Sequence, residues 1–224
     1  MQFYIFAPIS QTLFMENIKN IIFDYGNVIF SIDFKRVQQS WNQLGIANPE
    51  TFFGHKEQDA IFDKFDRGEV TAAQFREYVR EKTNNPALTD EQIDAAWNSI
   101  LVGIAEGNHD LLLQLKDKYR TFLLSNINAI HYDYIMNYLK TDFGFDGNDH
   151  LFEKTYYSHL TGKRKPEPAI FEQVLKENNL KPEETLFIDD SPQHLEAAKK
   201  LGIQTFLMTA PDTIQLFAKR EHLI

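Results

Sequence analysis

Short, continuously apolar segments recur along the chain and predict buried β-strands. Runs of this length, rich in β-branched and aromatic residues, are typical of strands that are covered on both faces of a parallel sheet. The clearest segments are residues 21–23, 121–124, 185–188 and 205–208, and residues 155–160 are a weaker candidate. Apolar residues at helical spacing lie between them, for example Ile170, Phe171 and Val174. Strands that alternate with helices predict an α/β fold with a parallel sheet.

The segment from residue 35 to residue 104 breaks this alternation, because its apolar positions recur at helical spacing throughout. Thr71 stands three residues before Gln74, and Thr89 three residues before Gln92, which is the spacing of a capping box at a helix start. The sequence therefore predicts an all-helical unit inserted into an α/β core. The predicted divisions are an N-terminal extension at 1–14, a core at 15–34 and 105–224, a helical insertion at 35–104, and hinges near 31–33 and 103–107.

Composition and charge narrow the range of functions. The chain has 224 residues and no cysteine, which excludes a disulfide framework, a cysteine-based metal site and a cysteine nucleophile. Its net charge is −9, so it has no basic excess with which to bind nucleic acid broadly. No Lys or Arg precedes Lys19, which does not fit a signal peptide, and no apolar run is long enough to span a bilayer. We expect a cytoplasmic protein, monomeric or homodimeric, with a small-molecule partner and no nucleic acid or membrane partner.

Polar residues of complementary chemistry follow the predicted strands. The first strand ends at Asp24, the second is followed by Ser125, the weak candidate by Lys165, and the fourth segment by Asp189 and Asp190. In open α/β sheets the carboxyl ends of the strands form the ligand site. Three carboxylates suit Mg²⁺, a lysine and a hydroxyl suit a phosphate, and a carboxylate can attack phosphorus. Each residue alone is ordinary as a cap or loop residue, but their order along the chain predicts phosphoryl transfer.

These motifs resemble those of the haloacid dehalogenase-like hydrolase superfamily, most members of which are Mg²⁺-dependent phosphatases. The similar segments are, in order, IIFDYGNV, LLSN, RKPEPAIF and FIDDSPQHLEAAKKLG, and the resemblance runs from about Lys19 to the end of the chain. It implies a Rossmann-like, three-layer α/β/α core with a parallel sheet, in which the helical insertion is an all-helical cap domain. The phrases DxGNV, SNxNxxH and GxRKPE look like the branch of bacterial alpha-D-glucose-1-phosphate phosphatases, which implies a sugar phosphate such as alpha-D-glucose 1-phosphate as substrate.

The resemblance also implies roles for individual residues. Asp24 is the nucleophile, which forms an aspartyl-phosphate, and Ser125 and Lys165 are catalytic with it. Mg²⁺ is held by Asp24, the backbone carbonyl of Gly26 and Asp190, with Asp189 close by. The implied phosphate-binding residues are Gly26, Asn27, Ser125, Asn126 and Lys165.

One position departs from the family pattern. Most of its phosphatases carry a second aspartate, the general acid and base, where this chain has Gly26. A glycine cannot transfer a proton, and such help is typically worth about 10²–10⁴ in rate. Asp33, His131 and His194 are candidate replacements. Each also has a plain structural interpretation, Asp33 as a helix N-cap and the histidines as hydrogen-bonding residues near the site.

The missing acid keeps other hypotheses open. A catalytically weak or inactive regulatory or binding protein is the main alternative. A metal-independent 2-haloacid dehalogenase is third, and the acidic pair at 189–190 speaks against it. A phosphonoacetaldehyde hydrolase would use a cap lysine, but Lys56 and Lys64 fit a solvated surface better.

Overall fold

The computed structural model describes residues 17–54 and 59–224. The predicted extension at 1–14 and the cap lysine Lys56 lie outside these residues. Within them, the chain forms a five-stranded parallel sheet and a two-stranded antiparallel sheet. The strands are β1 (Asn20–Phe23), β2 (Phe30–Ile32), β3 (Leu101–Ile104), β4 (Arg120–Ser125), β5 (Lys154–Tyr157), β6 (Thr185–Asp189) and β7 (Gln204–Leu207).

Helices connect the strands and cover the sheet. They are α1 (Phe34–Gln43), α2 (Pro49–Phe52), α3 (Ala60–Asp66), α4 (Ala72–Thr83), α5 (Asp90–Asn98), α6 (Asn108–Lys116), α7 (Ala129–Phe143), α8 (Ser158–Thr161), α9 (Pro168–Glu177), α10 (Pro192–Lys200) and α11 (Ile214–Arg220), with a 3₁₀ turn at Pro182–Glu184. Among the described residues, no helix combines the length and the apolar character that crossing a bilayer requires.

The large sheet has the strand order β5-β4-β1-β6-β7, with every neighbouring pair parallel. Successive side chains of a strand point to opposite faces. Accordingly, Ile21 and Phe23 of β1 pack in one hydrophobic cluster, whereas Ile22 packs in another with Phe171 of α9 and Leu195 of α10. The sheet is therefore buried between two helical layers, which confirms the predicted α/β fold.

The helices α1 to α5 lie between β2 and β3, which pair with each other as antiparallel strands. Both predicted capping boxes are confirmed. The backbone N–H of Gln74 donates to the Thr71 hydroxyl, and the Gln74 side-chain oxygen accepts from the backbone N–H of Thr71. Thr89 and Gln92 do the same at the start of α5. The exact division into a core and a cap at 35–104 stays a prediction.

Aromatic side chains fill the interior of this helical unit. Trp41, Phe62, Phe75 and Trp97 are almost fully buried, and their rings contact one another or shared neighbours. Most of the aromatic residues of the insertion therefore form its own core.

Three local expectations differ from the structure. Only the first half of the weak strand candidate is a strand, because Ser158 starts the short helix α8. Ser191 directly before Pro192 is the arrangement expected of a helix N-cap, but its side chain makes no capping hydrogen bond; the carboxylate of Asp189 instead accepts from the Ser191 N–H at 2.7 Å. The predicted hinges at 31–33 and 103–107 fall partly within the paired strands β2 and β3, so hydrogen bonds brace the two connections there.

Candidate active site

Asp24 lies immediately after β1, the central strand of the large sheet. Phe23 is in register with Leu123 of β4 and with Ile188 of β6, and the Asp24 N–H donates to the Ile188 carbonyl at 2.9 Å. The parallel register therefore brings the carboxyl ends of three strands together. Asp24 is 8% exposed and lines a cavity of about 480 Å³ above this edge.

Lys165 connects two of the carboxylates. Its side chain is fully buried, and its Nζ lies 2.6 Å from Asp24 Oδ1 and 2.7 Å from Asp189 Oδ2. Asp189 also contacts His194, whose Nδ1 is 2.9 Å from its Oδ1. A buried cation needs such partners, since an isolated charge in the interior is very costly. The chain thus builds a buried ionic cluster from residues that lie far apart in sequence.

The cluster shifts the pKa values of its members in different directions. Burial raises the pKa of Asp24 well above its ordinary value, Lys165 opposes this, and Asp189 and Asp190 add to it. Burial also acts to raise the pKa of Asp189, but Lys165 and His194 outweigh it and lower that pKa. Burial alone would lower the pKa of Lys165, yet the two carboxylates raise it overall. Asp24 is therefore the carboxylate with the least compensated negative charge, and a cation beside it would stabilise its ionised form.

The carboxylates of Asp24, Asp189 and Asp190 offer oxygen atoms within 4.8 Å of one another. Oxygen ligands of this kind fit Mg²⁺. Asp189 already accepts from Lys165, Ser191 and His194, whereas Asp190 is half-buried and accepts from Asn27 Nδ2 at 2.8 Å. Asp24 and Asp190 are therefore the better candidate metal ligands, and Asp189 is better suited to holding Lys165.

The two candidate phosphate-binding asparagines have other partners. Asn27 has a left-handed backbone with φ of 55°, and its side chain holds Asp190. Asn126 donates from Nδ2 to the Lys165 carbonyl and accepts at Oδ1 from the Lys165 N–H, both at 2.9 Å. These side chains therefore position a carboxylate and a lysine, and their contact with phosphate stays a prediction. Ser125 at the end of β4 and Gly26 after β1 both line the cavity.

The candidate proton shuttles differ in position. Asp33 caps α1, with Oδ1 accepting from the Lys35 N–H at 2.9 Å, and is not among the residues that line the cavity. His194 lines the cavity but is held against Asp189. The plain structural interpretation fits the contacts of both residues, and a role for either in proton transfer stays a prediction.

His131 is buried, and both of its ring nitrogens have partners. Nε2 lies 3.2 Å from the Trp97 carbonyl, and Nδ1 lies 3.3 Å from the Asn128 Nδ2 donor. These contacts assign the neutral tautomer with a proton on Nε2. Burial lowers the pKa of His131 to about 4, so the ring is neutral near pH 7.

The second wall of the cavity comes from the cap. Phe34, Phe53 and Trp97 contribute apolar surface, and Asp66 of α3 contributes a carboxylate. Arg164, which precedes Lys165, also lines the cavity. The sequence interpretation did not include Asp66 and Arg164 among the site residues. The only signals were that Asp66 follows the apolar Phe65 and that Arg164 is the first residue of the RKPE motif.

The cap and the core meet at a polar seam beside the cavity. Arg67 Nε donates to Glu167 Oε1 at 2.8 Å, and Arg164 forms an ion pair with Asp63. Gly68 lies against the His159 carbonyl with φ of +70°, and an added Cβ there would clash with that oxygen. Only glycine fits this close approach.

Comparisons with known proteins agree with this geometry. A family model described as haloacid dehalogenase-like hydrolase matches residues 18–202. The chain is 33% identical over 193 residues to D-ribitol-5-phosphate phosphatase of Bacteroides thetaiotaomicron, which covers 84% of this chain and 91% of that protein.

Solved structures show the same relationship. A haloacid dehalogenase family enzyme from Bacteroides thetaiotaomicron, an aspartate-to-alanine variant in complex with magnesium and inorganic phosphate, superposes with a TM-score of 0.82 at 39% identity. The match covers 89% of this chain and 98% of that one. A predicted family hydrolase from Porphyromonas gingivalis has a TM-score of 0.79 at 29% identity and covers 91% of this chain and 97% of its own.

Proposed function

The chain belongs to the haloacid dehalogenase-like hydrolases, and on that premise we propose that it is a Mg²⁺-dependent phosphomonoesterase acting on a small phosphorylated metabolite. The single observation that carries the proposal is the cluster of Asp24, Lys165, Asp189 and Asp190 at one edge of the sheet. It combines a nucleophile, a buried cation and an oxygen-rich site for a metal.

Asp24 is the proposed nucleophile. A carboxylate oxygen of Asp24 attacks phosphorus, the bond from phosphorus to the ester oxygen breaks, and the alcohol leaves with a proton taken from solvent or a neighbouring group. Water then attacks phosphorus of the aspartyl-phosphate, which releases inorganic phosphate and restores Asp24. Both steps move negative charge onto oxygen atoms beside Lys165, which stabilises them.

The other residues hold these groups in place. Asp24 and Asp190, with the Gly26 carbonyl, would bind Mg²⁺, which supplies positive charge against the phosphate oxygens. Asp189 and Asn126 position Lys165, Asn27 positions Asp190, and Ser125, which lines the cavity, would donate to a phosphate oxygen.

The proposed substrate is a phosphate ester of a sugar or a sugar alcohol. A relative at 33% identity is a D-ribitol-5-phosphate phosphatase, and the sequence motifs favour alpha-D-glucose 1-phosphate. Both have a polyhydroxylated leaving group, and the cavity offers polar and apolar walls to such a group. Cytoplasmic location and a monomeric or homodimeric state stay predictions.

The test is turnover on a panel of phosphate esters with Mg²⁺ and with EDTA, for the wild type and for Asp24→Asn. We expect phosphate release from at least one sugar or sugar-alcohol phosphate, loss of it in EDTA, and loss of it in the variant. Full metal-dependent turnover by Asp24→Asn would rule out the aspartyl-phosphate mechanism.

The weak or inactive binding protein remains the second candidate, because Gly26 has no proton to donate, Asp33 is engaged as a helix cap and His194 is held against Asp189. Binding of Mg²⁺ and phosphate without hydrolysis of any ester would favour it. The dehalogenase hypothesis is less favoured, since three converging carboxylates are unsuited to a metal-free site. Metal-independent chloride release from a 2-haloacid would support it.

A further inference from the structure

Asp66 is a carboxylate on the cap side of the cavity that the proposed mechanism does not use. It is the last residue of α3, its side chain is 19% exposed, and it lines the same cavity as Asp24. A half-buried carboxylate at a ligand cavity needs hydrogen-bond donors, since unmet polar groups in such a place are costly.

The protein supplies these donors only at long range. Arg164 Nη2 lies 3.7 Å from Asp66 Oδ2, and Asn128 Nδ2 lies 3.5 Å from Asp66 Oδ1. Within the residues that the structure describes, no shorter hydrogen bond reaches this carboxylate. An ionised carboxylate has about four acceptor positions, so Asp66 keeps capacity for donors from a ligand.

Two hydrogen bonds fix the orientation of the Asn128 side chain next to Asp66. Its Oδ1 accepts from Trp97 Nε1 at 3.2 Å and from the His131 N–H at 3.1 Å, which turns its Nδ2 toward Asp66. Trp97 also forms part of the apolar cavity wall. The carboxylate and an apolar surface are therefore fixed side by side.

A carboxylate beside an apolar surface fits a leaving group that is a sugar or a sugar alcohol. Hydroxyl groups donate to a carboxylate, and the C–H surface of a sugar or sugar alcohol packs on aromatic rings. Burial raises the pKa of Asp66 to about 6, with Arg164 opposing the rise, so the acceptor form prevails at neutral pH. An anionic leaving group would be repelled by the same carboxylate.

We propose that Asp66 is a specificity residue: it accepts a hydrogen bond from a hydroxyl of the leaving group and so selects phosphate esters of polyhydroxylated alcohols over esters that lack hydroxyls. This inference rests on the proposed phosphatase function and names the substrate class of that same site.

The experiment compares ribitol 5-phosphate with n-pentyl phosphate, which has the same number of carbons and the same primary ester bond but no hydroxyls. We expect Asp66→Ala to lower kcat/KM for ribitol 5-phosphate by about fivefold to 100-fold, the range for losing one hydrogen bond at a buried polar site. The same variant should leave n-pentyl phosphate within about twofold of the wild type. Asp66→Asn keeps one acceptor oxygen, so its kcat/KM for ribitol 5-phosphate should lie between the values of the wild type and of Asp66→Ala.

A matched control is Asp94→Asn. Asp94 is also a cap aspartate in an ion pair with an arginine, Arg76, but it does not line the cavity. It should leave the preference between the two esters unchanged. Thermal unfolding of each variant checks that the cap remains folded.

Three results would overturn the inference while leaving the phosphatase proposal intact. The first is that Asp66→Ala lowers kcat/KM for neither ester, and the second is that it lowers kcat/KM equally for both. The third is a loss confined to kcat on both esters, which would indicate a proton donor. If the wild type hydrolyses neither these two esters nor any other phosphate ester, the proposed function itself fails and takes this inference with it.

Discussion

The carboxyl edge of the sheet and the cap wall face one cavity but are built in different ways. At the sheet edge, the charged groups hold one another: Lys165 bridges Asp24 and Asp189 while almost completely buried. On the cap wall, the surface is mostly aromatic, and Asp66 has only long contacts with its partners. The charged groups of the edge thus fit the proposed reaction, and the cap wall has capacity left for a ligand. The comparison suggests that chemistry and selectivity can change independently in this chain.

Removal of the buried cation tests the sheet edge most severely. We expect Lys165→Met to reduce turnover by about 10³-fold, because it removes the positive charge next to the reacting phosphate. It should also lower the free energy of unfolding by about 3–5 kcal/mol, since two buried carboxylates lose their partner. Enzyme kinetics and urea unfolding measure the two effects.

Lys163→Met is the matched control, because Lys163 lies two residues away, donates to Gln173 at 3.0 Å and is not among the residues that line the cavity. It should change both quantities little. An equal loss in both variants would mean that the loop as a whole, and not the ion cluster, is responsible.

The next test concerns His131, which also lines the cavity. His131 has a pKa of about 4 in the folded protein, against 6.5 in the unfolded chain. Because the unfolded state takes up the proton first, stability present above pH 6.5 is lost as the pH falls toward 4. The loss is on the order of 3 kcal/mol at pH 4.

His131→Gln should remove that part of the pH dependence, which urea unfolding between pH 4 and pH 7 would show as a smaller slope. His222→Gln, at an exposed position, should keep the wild-type slope. Identical slopes for the wild type and His131→Gln would contradict the buried, neutral assignment.

A gain-of-function variant at Gly26 tests the role of the missing general acid and leaves the residues of the cap unchanged. The backbone at Gly26 is outside the left-handed region, and a Cβ would lie 3.4 Å from Ile32 Cδ1, which is ordinary contact. Gly26→Asp should therefore be accommodated and should raise turnover on alkyl phosphates by about tenfold or more, since it restores a general acid.

Gly26→Asn has the same size and cannot supply the proton, so it separates acid catalysis from a change of shape. If both variants behave alike in a steady-state assay, the missing acid is not what limits the rate.

The smallest expected effect concerns the seam that joins the cap to the core. Arg67 and Glu167 are both partly exposed, and exposed ion pairs contribute less than about 1 kcal/mol. Arg67→Gln should raise KM about twofold to fivefold and make it less sensitive to salt, with kcat nearly unchanged. Arg76→Gln breaks a pair within the cap and should not have this effect. A fall in kcat alone would assign Arg67 to the chemistry and not to closure of the cap.

Much of the fold was predictable because its signals are local. The apolar run before Asp24, and the runs that became β4, β6 and β7, needed only their own residues to indicate strands. The capping boxes at Thr71 and Thr89 likewise depend on contacts three residues apart. The weak strand candidate at 155–160 shows the limit of local signals, because its second half is a helix. Residues 158–160 are compatible with either structure, and α8 forms where the chain contacts the cap.

The functions of single polar residues were less predictable. Asn27 and Asn126 follow their strands, where the sequence predicts phosphate-binding residues, and their side chains contact Asp190 and Lys165, 163 and 39 residues away. Their contact with phosphate stays a prediction. Asp66 carried no motif at all, although the fold brings it to the cavity. An amide or a carboxylate has the same local preferences whichever group it faces, so only the folded neighbourhood distinguishes these roles.

The sequence by itself determined the parallel α/β core, the helical insertion and the set of residues at the strand ends, because hydrophobic periodicity and turn chemistry act over a few residues. Only the tertiary structure decided which carboxylates contact Lys165, that His131 is neutral, and which cap residues line the cavity. Those properties depend on burial and on charges brought together from distant parts of the chain, and neither is encoded at any one position.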